Sequence, residues 1–193
     1  MNTDSKEFGN ALIDEFGPKF PHQKLFFPVI HVRDLGQVRR NLIIAHRANA
    51  DGVFLVNHEI RHHKLLEIFN DLPDPPIGFM VGLNFLDLPT GNALIDCPNR
   101  STLWVDDAGI TEEGSNPTRK AEHFEQVKKI RRDDGWRGLY FGSVAFKYQQ
   151  PVEDPASLAK VARSYVDVIV TSGDATGSPP TEGKIRSIRE AIG

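Results

Sequence analysis

Short apolar runs recur along the chain, separated by longer stretches in which apolar residues return at helical spacing. The runs are LFFPVIH (25–31), GVFLVN (52–57), GFMVGLN (78–84), LWVD (103–106), GLYFGSVAF (138–146) and VDVIVT (166–171). They are rich in Val, Ile and Phe and mostly continuous rather than alternating. Such runs suit strands covered on both faces, as in a parallel sheet.

The intervening stretches predict helices. Asp34 stands where a cap belongs, ahead of Val38, Leu42, Ile43 and Ala45. Leu65, Leu66, Ile68 and Phe69 mark a second helix, ended by Asp71-Leu72-Pro73. The third connection holds a short helix around residues 92–95. Residues 118–132 read as a fourth, with Phe124, Val127 and Ile130 on one stripe. Asp154-Pro155 opens a fifth, with Leu158, Val161 and Ala162 inward, and proline suits the first helical position. Residues 182–192 form a sixth, with Ile185, Ile188 and Ile192 on one face.

Strand followed by helix, six times over, predicts an α/β fold with parallel strands joined by helical crossovers. An open doubly wound sheet and a closed (β/α)8 barrel both fit this alternation. No Gly-rich dinucleotide turn follows the first strand, where His31-Val32-Arg33-Asp34 stands instead. The regular period favours the barrel. A complete barrel takes about 250 residues, so the expectation is an incomplete TIM-type barrel of about six βα units. Residues 1–23 read as a polar lead-in and 24–193 as the barrel domain.

Composition narrows the classes. The chain has 193 residues, 39% hydrophobic and 25% charged, with a net charge of −3. That balance is globular and gives no overall attraction to nucleic acid. Cys97 is the single cysteine, which excludes an intramolecular disulfide and a cysteine-based zinc cluster. A reducing, cytoplasmic setting is expected. No apolar run approaches the roughly 20 residues that span a bilayer, so no membrane insertion is expected.

In a (β/α)8 barrel the chemistry gathers at the C-terminal ends of the strands. Here the runs end in His31, in Asn57-His58, in Asn84, in Asp106-Asp107, in Lys147 and in Thr171-Ser172-Gly173-Asp174. These side chains could run acid–base chemistry on a polar substrate. They are also what helix caps and loops need. Lys147 suits an anion or a carbonyl, and equally a lysine that snorkels to the rim. The small-residue loop Ser172-Gly173-Asp174-Ala175-Thr176-Gly177 could cradle a phosphate or sugar, or be a plain turn.

Two motifs are weaker. His58-Glu59-Ile60-Arg61-His62 spells HExxH, which in zinc proteases needs both histidines on one face in mid-helix. Here the first histidine directly follows a strand, so the match reads as coincidence or a solvated helix start, and no metal site is assigned. Residues 103–111, apolar strand, Asp106, Asp107 and then Thr111, resemble the PRPP signature of type I phosphoribosyltransferases. Glu112-Glu113 takes the place of that signature's small phosphate-loop residues.

The blocks PVIHVRD (28–34), ADGVFLVNH (50–58), VGLNFLDL (81–88), LWVDDAGI (103–110), GLYFGSVAFKYQQPVED (138–154) and the whole of 166–193 together resemble the BtpA family. The resemblance runs from about residue 25 to the C-terminus. It implies a (β/α)8 barrel binding a ligand at the strand C-terminal rim. Some members of that family are linked to photosystem I assembly, and others sit near sugar or nucleoside metabolism. The family continues into seventh and eighth strands, so a C-terminally truncated member is expected. Its open barrel edges would be covered by a homo-oligomer.

Three functions follow as expectations. One is a metabolic enzyme, or enzyme remnant, binding a small polar, phosphorylated or ribosyl compound. Asp106, Asp107 and Lys147 would be its catalytic groups. Its ligand-binding groups would be His31, Asn57, His58, Asn84, Ser172, Gly173, Asp174, Thr176 and Gly177. The second is PRPP-dependent transfer to an adenine-type base. The third is a non-catalytic assembly or stability factor. The sequence specifies no cofactor.

Overall fold

A computed structural model describes residues 24–98, 101–113, 116–119, 125, 127–130, 135–136, 138–149 and 152–193. The expected lead-in over 1–23, and Phe124 of the fourth predicted helix, lie outside these residues. The elements run β1 (Val29–His31), α1 (Leu35–Arg47), β2 (Gly52–Val56), α2 (His62–Asn70), β3 (Met80–Asn84), α3 (Thr90–Asp96) and β4 (Thr102–Val105). They continue with β5 (Ile110–Glu113), β6 (Asn116–Arg119), β7 (Tyr140–Ser143), α4 (Pro155–Ala162), β8 (Val168–Val170) and α5 (Glu182–Ile192).

The six apolar runs all supply strands of one parallel sheet, in the order β1-β2-β3-β4-β7-β8. Each strand lies beside the next of the six in sequence. Five of the six strands are shorter than the runs that contain them, and β4 begins one residue before its run. In the first run Pro28 has no N–H to give the ladder, and its carbonyl instead accepts from Phe54 N at 3.0 Å.

Local chemistry explains the helices. Asp34 Oδ1 accepts from Gln37 N at 2.8 Å and starts α1. Asp154 Oδ1 accepts from the amides of Ala156 and Ser157, both at 3.1 Å, ahead of Pro155 at the start of α4. Thr181 Oγ1 accepts from Lys184 N at 3.2 Å and opens α5.

Three sequence expectations need correction. Thr118 and Arg119 are not helical. They lie in β6, which pairs antiparallel with β5 so that Thr118 faces Thr111 and Arg119 faces Ile110. Pro117 pushes the residue before it to extended backbone, and β-branched Ile110, Thr111 and Thr118 suit a ladder. Residues 125 and 127–130 are helical, with Val127 and Ile130 both buried. Ile43 is the second correction, at 52% exposed. It is five residues from buried Val38, about 140° round the helix. Ile185 is the third. It is exposed in the first turn of α5, where Lys184 is the residue turned inward.

The chain packs as two compact units, one of residues 24–89 with Ser101–Trp104, the other of residues 90–98 with 105–193. In the first, Val53, Leu55, Leu65, Leu83 and Leu103 are sealed from solvent. The Phe54 ring meets Trp104 edge-on at 5.5 Å. A Cβ on Gly82 would stand 2.4 Å from Phe54 Cε1, so only glycine leaves room for that ring. The second unit is built on Tyr140, Leu158, Ile110, Val127 and Leu94. Tyr165 Oη donates to Ala108 O at 2.6 Å, so its buried hydroxyl keeps a partner. Among the described residues no helix is long and apolar enough to cross a membrane.

Candidate functional site

Both units carry polar side chains just past the C-terminal ends of their strands. In the first, β1 ends on His31, β2 runs into Asn57 and His58, and β3 ends on Asn84. The rings of His31 and His58 meet edge-on at 5.4 Å. Asn57 and Asn84 are both 2% exposed. Asn57 Oδ1 accepts from Leu86 N at 2.7 Å, and its Nδ2 donates to Asp87 Oδ1. Asn57 therefore pins the turn that follows β3.

Asp87 is the centre of this cluster, and the sequence reading passed it by. Its Oδ2 accepts from the ring Nδ1 of His62 at 3.1 Å and from the backbone N–H of His62 at 3.2 Å. The Arg61 guanidinium lies 3.9 Å away. Burial works to raise the Asp87 pKa, but the donors from His62 and Asn57 outweigh it and hold the carboxyl below its ordinary value. Arg61 occupies the N-cap of α2 without a side-chain cap bond of its own. Asp87, from another loop, satisfies the helix's first amide instead.

The HExxH match dissolves in this geometry. His58 lies in the loop after β2 and His62 is the first residue of α2, so the two do not share a helix. Glu59 pairs with Arg33 at 3.4 Å. Among the described residues, no group of three or more His, Cys, Asp or Glu side chains is placed to hold a metal ion.

In the second unit β4 leads into Asp106 and Asp107, both half-buried. Asp107 Oδ1 accepts from Gly109 N at 2.7 Å, closing a tight Asx turn. Glu112 and Glu113 follow in extended backbone in β5, where the phosphoribosyltransferase signature has a phosphate loop.

After β7 the chain turns through Ala145, a non-glycine residue at φ +50°. Such backbone is costly and persists only where neighbours hold it. Gln149 Oε1 accepts from Ala145 N at 2.5 Å, and Gln149 Nε2 donates to Ile110 O at 2.6 Å. The Ala145 carbonyl accepts from Thr171 Oγ1 at 3.1 Å and from Lys184 Nζ. Lys184 Nζ also donates to Ser172 O at 2.8 Å. Burial lowers the Lys184 pKa, and the charge of Asp174 partly opposes it. Gln149 and Lys184 are further residues that the sequence reading missed.

This turn delivers Lys147 to the loop after β8. Lys147 N donates to Ser172 Oγ at 2.8 Å and its Nζ donates to Thr176 Oγ1 at 3.1 Å. The ammonium also lies 4.6 Å from the centre of the Tyr148 ring. A Cβ on Gly173 would stand 2.1 Å from Ser178 O, so the loop folds back on itself more closely than any other residue allows. Gly177 sits at φ +83°, and Asp174 and Thr176 are exposed. Lys147, Ser172 and Thr176, chosen separately from sequence, are thus in direct contact. Cys97 plays no such part, because burial pushes its thiol up to about 12.

Compared with protein-family models, with curated proteins and with solved structures, the chain gives no match.

Proposed function

We propose that this chain is a BtpA-type (β/α)8 barrel protein that binds a small polar compound carrying a phosphate or ribosyl group. Neighbouring strands that follow one another in sequence support the barrel, because a doubly wound sheet reverses its strand order at the ligand crevice. One observation carries the binding site. Lys147 is hydrogen-bonded to both hydroxyls of the loop 172–177. An ammonium on the Thr176 hydroxyl, a backbone N–H on the Ser172 hydroxyl and a glycine-shaped loop together are suited to a phosphate oxygen. Asp106 is the acid–base group of this reading, and Lys184 holds the loop rather than the ligand.

Ribose 5-phosphate is the probe. A ligand at about 100 times its dissociation constant adds about 2.7 kcal/mol of stability, which is several degrees in Tm for a chain of this size. The wild-type chain is expected to show that shift with ribose 5-phosphate and a smaller one with ribose. Lys147→Ala and Asp106→Ala are expected to abolish it. A shift of full size in Lys147→Ala would sink the assignment.

A further inference from the structure

The HExxH segment supplies one histidine to a different arrangement. We propose that His62 and Asp87 form a general acid–base pair, in which Asp87 fixes the His62 ring so that Nε2 takes a proton from a water or alcohol hydroxyl. The pair is built wholly from residues of the first unit and does not depend on the Lys147 loop binding phosphate.

The geometry defines each atom's part. An ionised carboxylate only accepts hydrogen bonds. The 3.1 Å contact between Asp87 Oδ2 and His62 Nδ1 therefore requires Nδ1 to carry the hydrogen, which leaves Nε2 as the basic nitrogen of the neutral ring. Orientation is doubly fixed, because the same Oδ2 accepts the backbone N–H of His62. The other oxygen is taken by Asn57 Nδ2, and Asn57 is itself held by Leu86 N. Charged and titratable neighbours of the pair among the described residues include Arg61, 3.9 Å from Oδ2, and His63, whose ring meets His62 edge-on at 5.6 Å. The Phe85 ring lies edge-on to the imidazole, with ring centres 6.5 Å apart.

Exposure fits the role. Asp87 keeps 19% of its side-chain surface and His62 keeps 28%, so the carboxylate is shielded while the ring reaches solvent. When Nε2 accepts a proton, the imidazolium forms against a carboxylate already in place, and no group has to move. A base of this kind is oriented by a further group, here Asp87, which Asn57 in turn holds.

The test uses the full chain. 15N NMR of wild-type protein above pH 8 is expected to show His62 as the Nδ1–H tautomer. Hydrolysis of p-nitrophenyl acetate is the reactivity probe. Water attacks the acetyl carbon, Nε2 takes the water proton and p-nitrophenolate leaves. The rate is expected to fall by about tenfold or more in His62→Gln. Asp87→Asn is expected to fall as far, because an amide turns its NH2 toward Nδ1 and imposes the wrong tautomer. A purely capping Asp87 would instead leave the His62→Gln rate unchanged. An unchanged rate, or an Nε2–H tautomer in the wild type, overturns the pair. Both readouts stand even if Asp87→Asn fails to fold.

Discussion

Asp87 is held as a carboxylate by three donors, two from His62 and one from Asn57. Its pKa in the folded chain therefore lies below the unfolded value of about 3.9. Between those two values the unfolded chain binds more protons than the folded one, so stability rises with pH across that window. The contribution is complete above the unfolded value and is lost as pH falls through the folded one. Asp87→Asn is expected to remove this part of the acid limb, measured as urea midpoints from pH 6 down to pH 3. Parallel acid limbs in wild type and variant would show that the carboxylate's charge is not what the cluster uses. Sequence inspection singled out Asn57 but not Asp87, although Asp87 lies in the quoted block VGLNFLDL. Nothing local marks it, since its partners are 25 and 30 residues away.

At the scale of the element, caps that lie beside their helices were legible. Asp34, Asp154 and Thr181 all bond amides within three residues of themselves. Asp34→Ala is expected to cost about 1 kcal/mol, read as a lower urea midpoint with an unchanged slope. A loss under a few tenths would mean that α1 is held by Val38 and Ala45 alone. The β5–β6 hairpin was missed although a signal exists. Gly114-Ser115 is a dipeptide of the kind that joins hairpin strands, but its flanks, ITEE and NPTR, carry Glu, Asn and Pro, which strands disfavour, so the signal was faint. The apolar stripe further along drew the helix start too early. Ile185 was misjudged for a different reason. Periodicity gives the angle of a side chain about its helix, but not whether anything packs over that turn.

For the molecule as a whole, the sheet order sets a gradient of protection. β2 is buried at all five positions and is paired on both sides, whereas β1 and β8 end the strand order. Amide hydrogen exchange is expected to be slowest in β2 and β3 and faster in β1 and β8. Slow exchange in β1 and β8 equal to that of β2 would mean that both edges are covered in solution, as in a closed barrel or an oligomer. The exposed Val29, Leu25 and Phe26 around β1 make that edge the more informative one.

The sequence by itself determined the α/β alternation, the six parallel strands and the polar residues at their C-terminal ends. Burial on two faces, helical periodicity and capping act over a few neighbouring residues, so their marks are local. It also put Lys147, Ser172 and Thr176 among the candidates, because Lys147 and the small-residue loop that holds Ser172 and Thr176 each follow an apolar run. Only the tertiary structure decided which of these touch. It alone brought Asp87 to His62, and Lys184 to a carbonyl 39 residues away. Those contacts depend on strand register and on where a distant loop returns. A one-residue slip in register turns every side chain to the opposite face without changing a single local propensity.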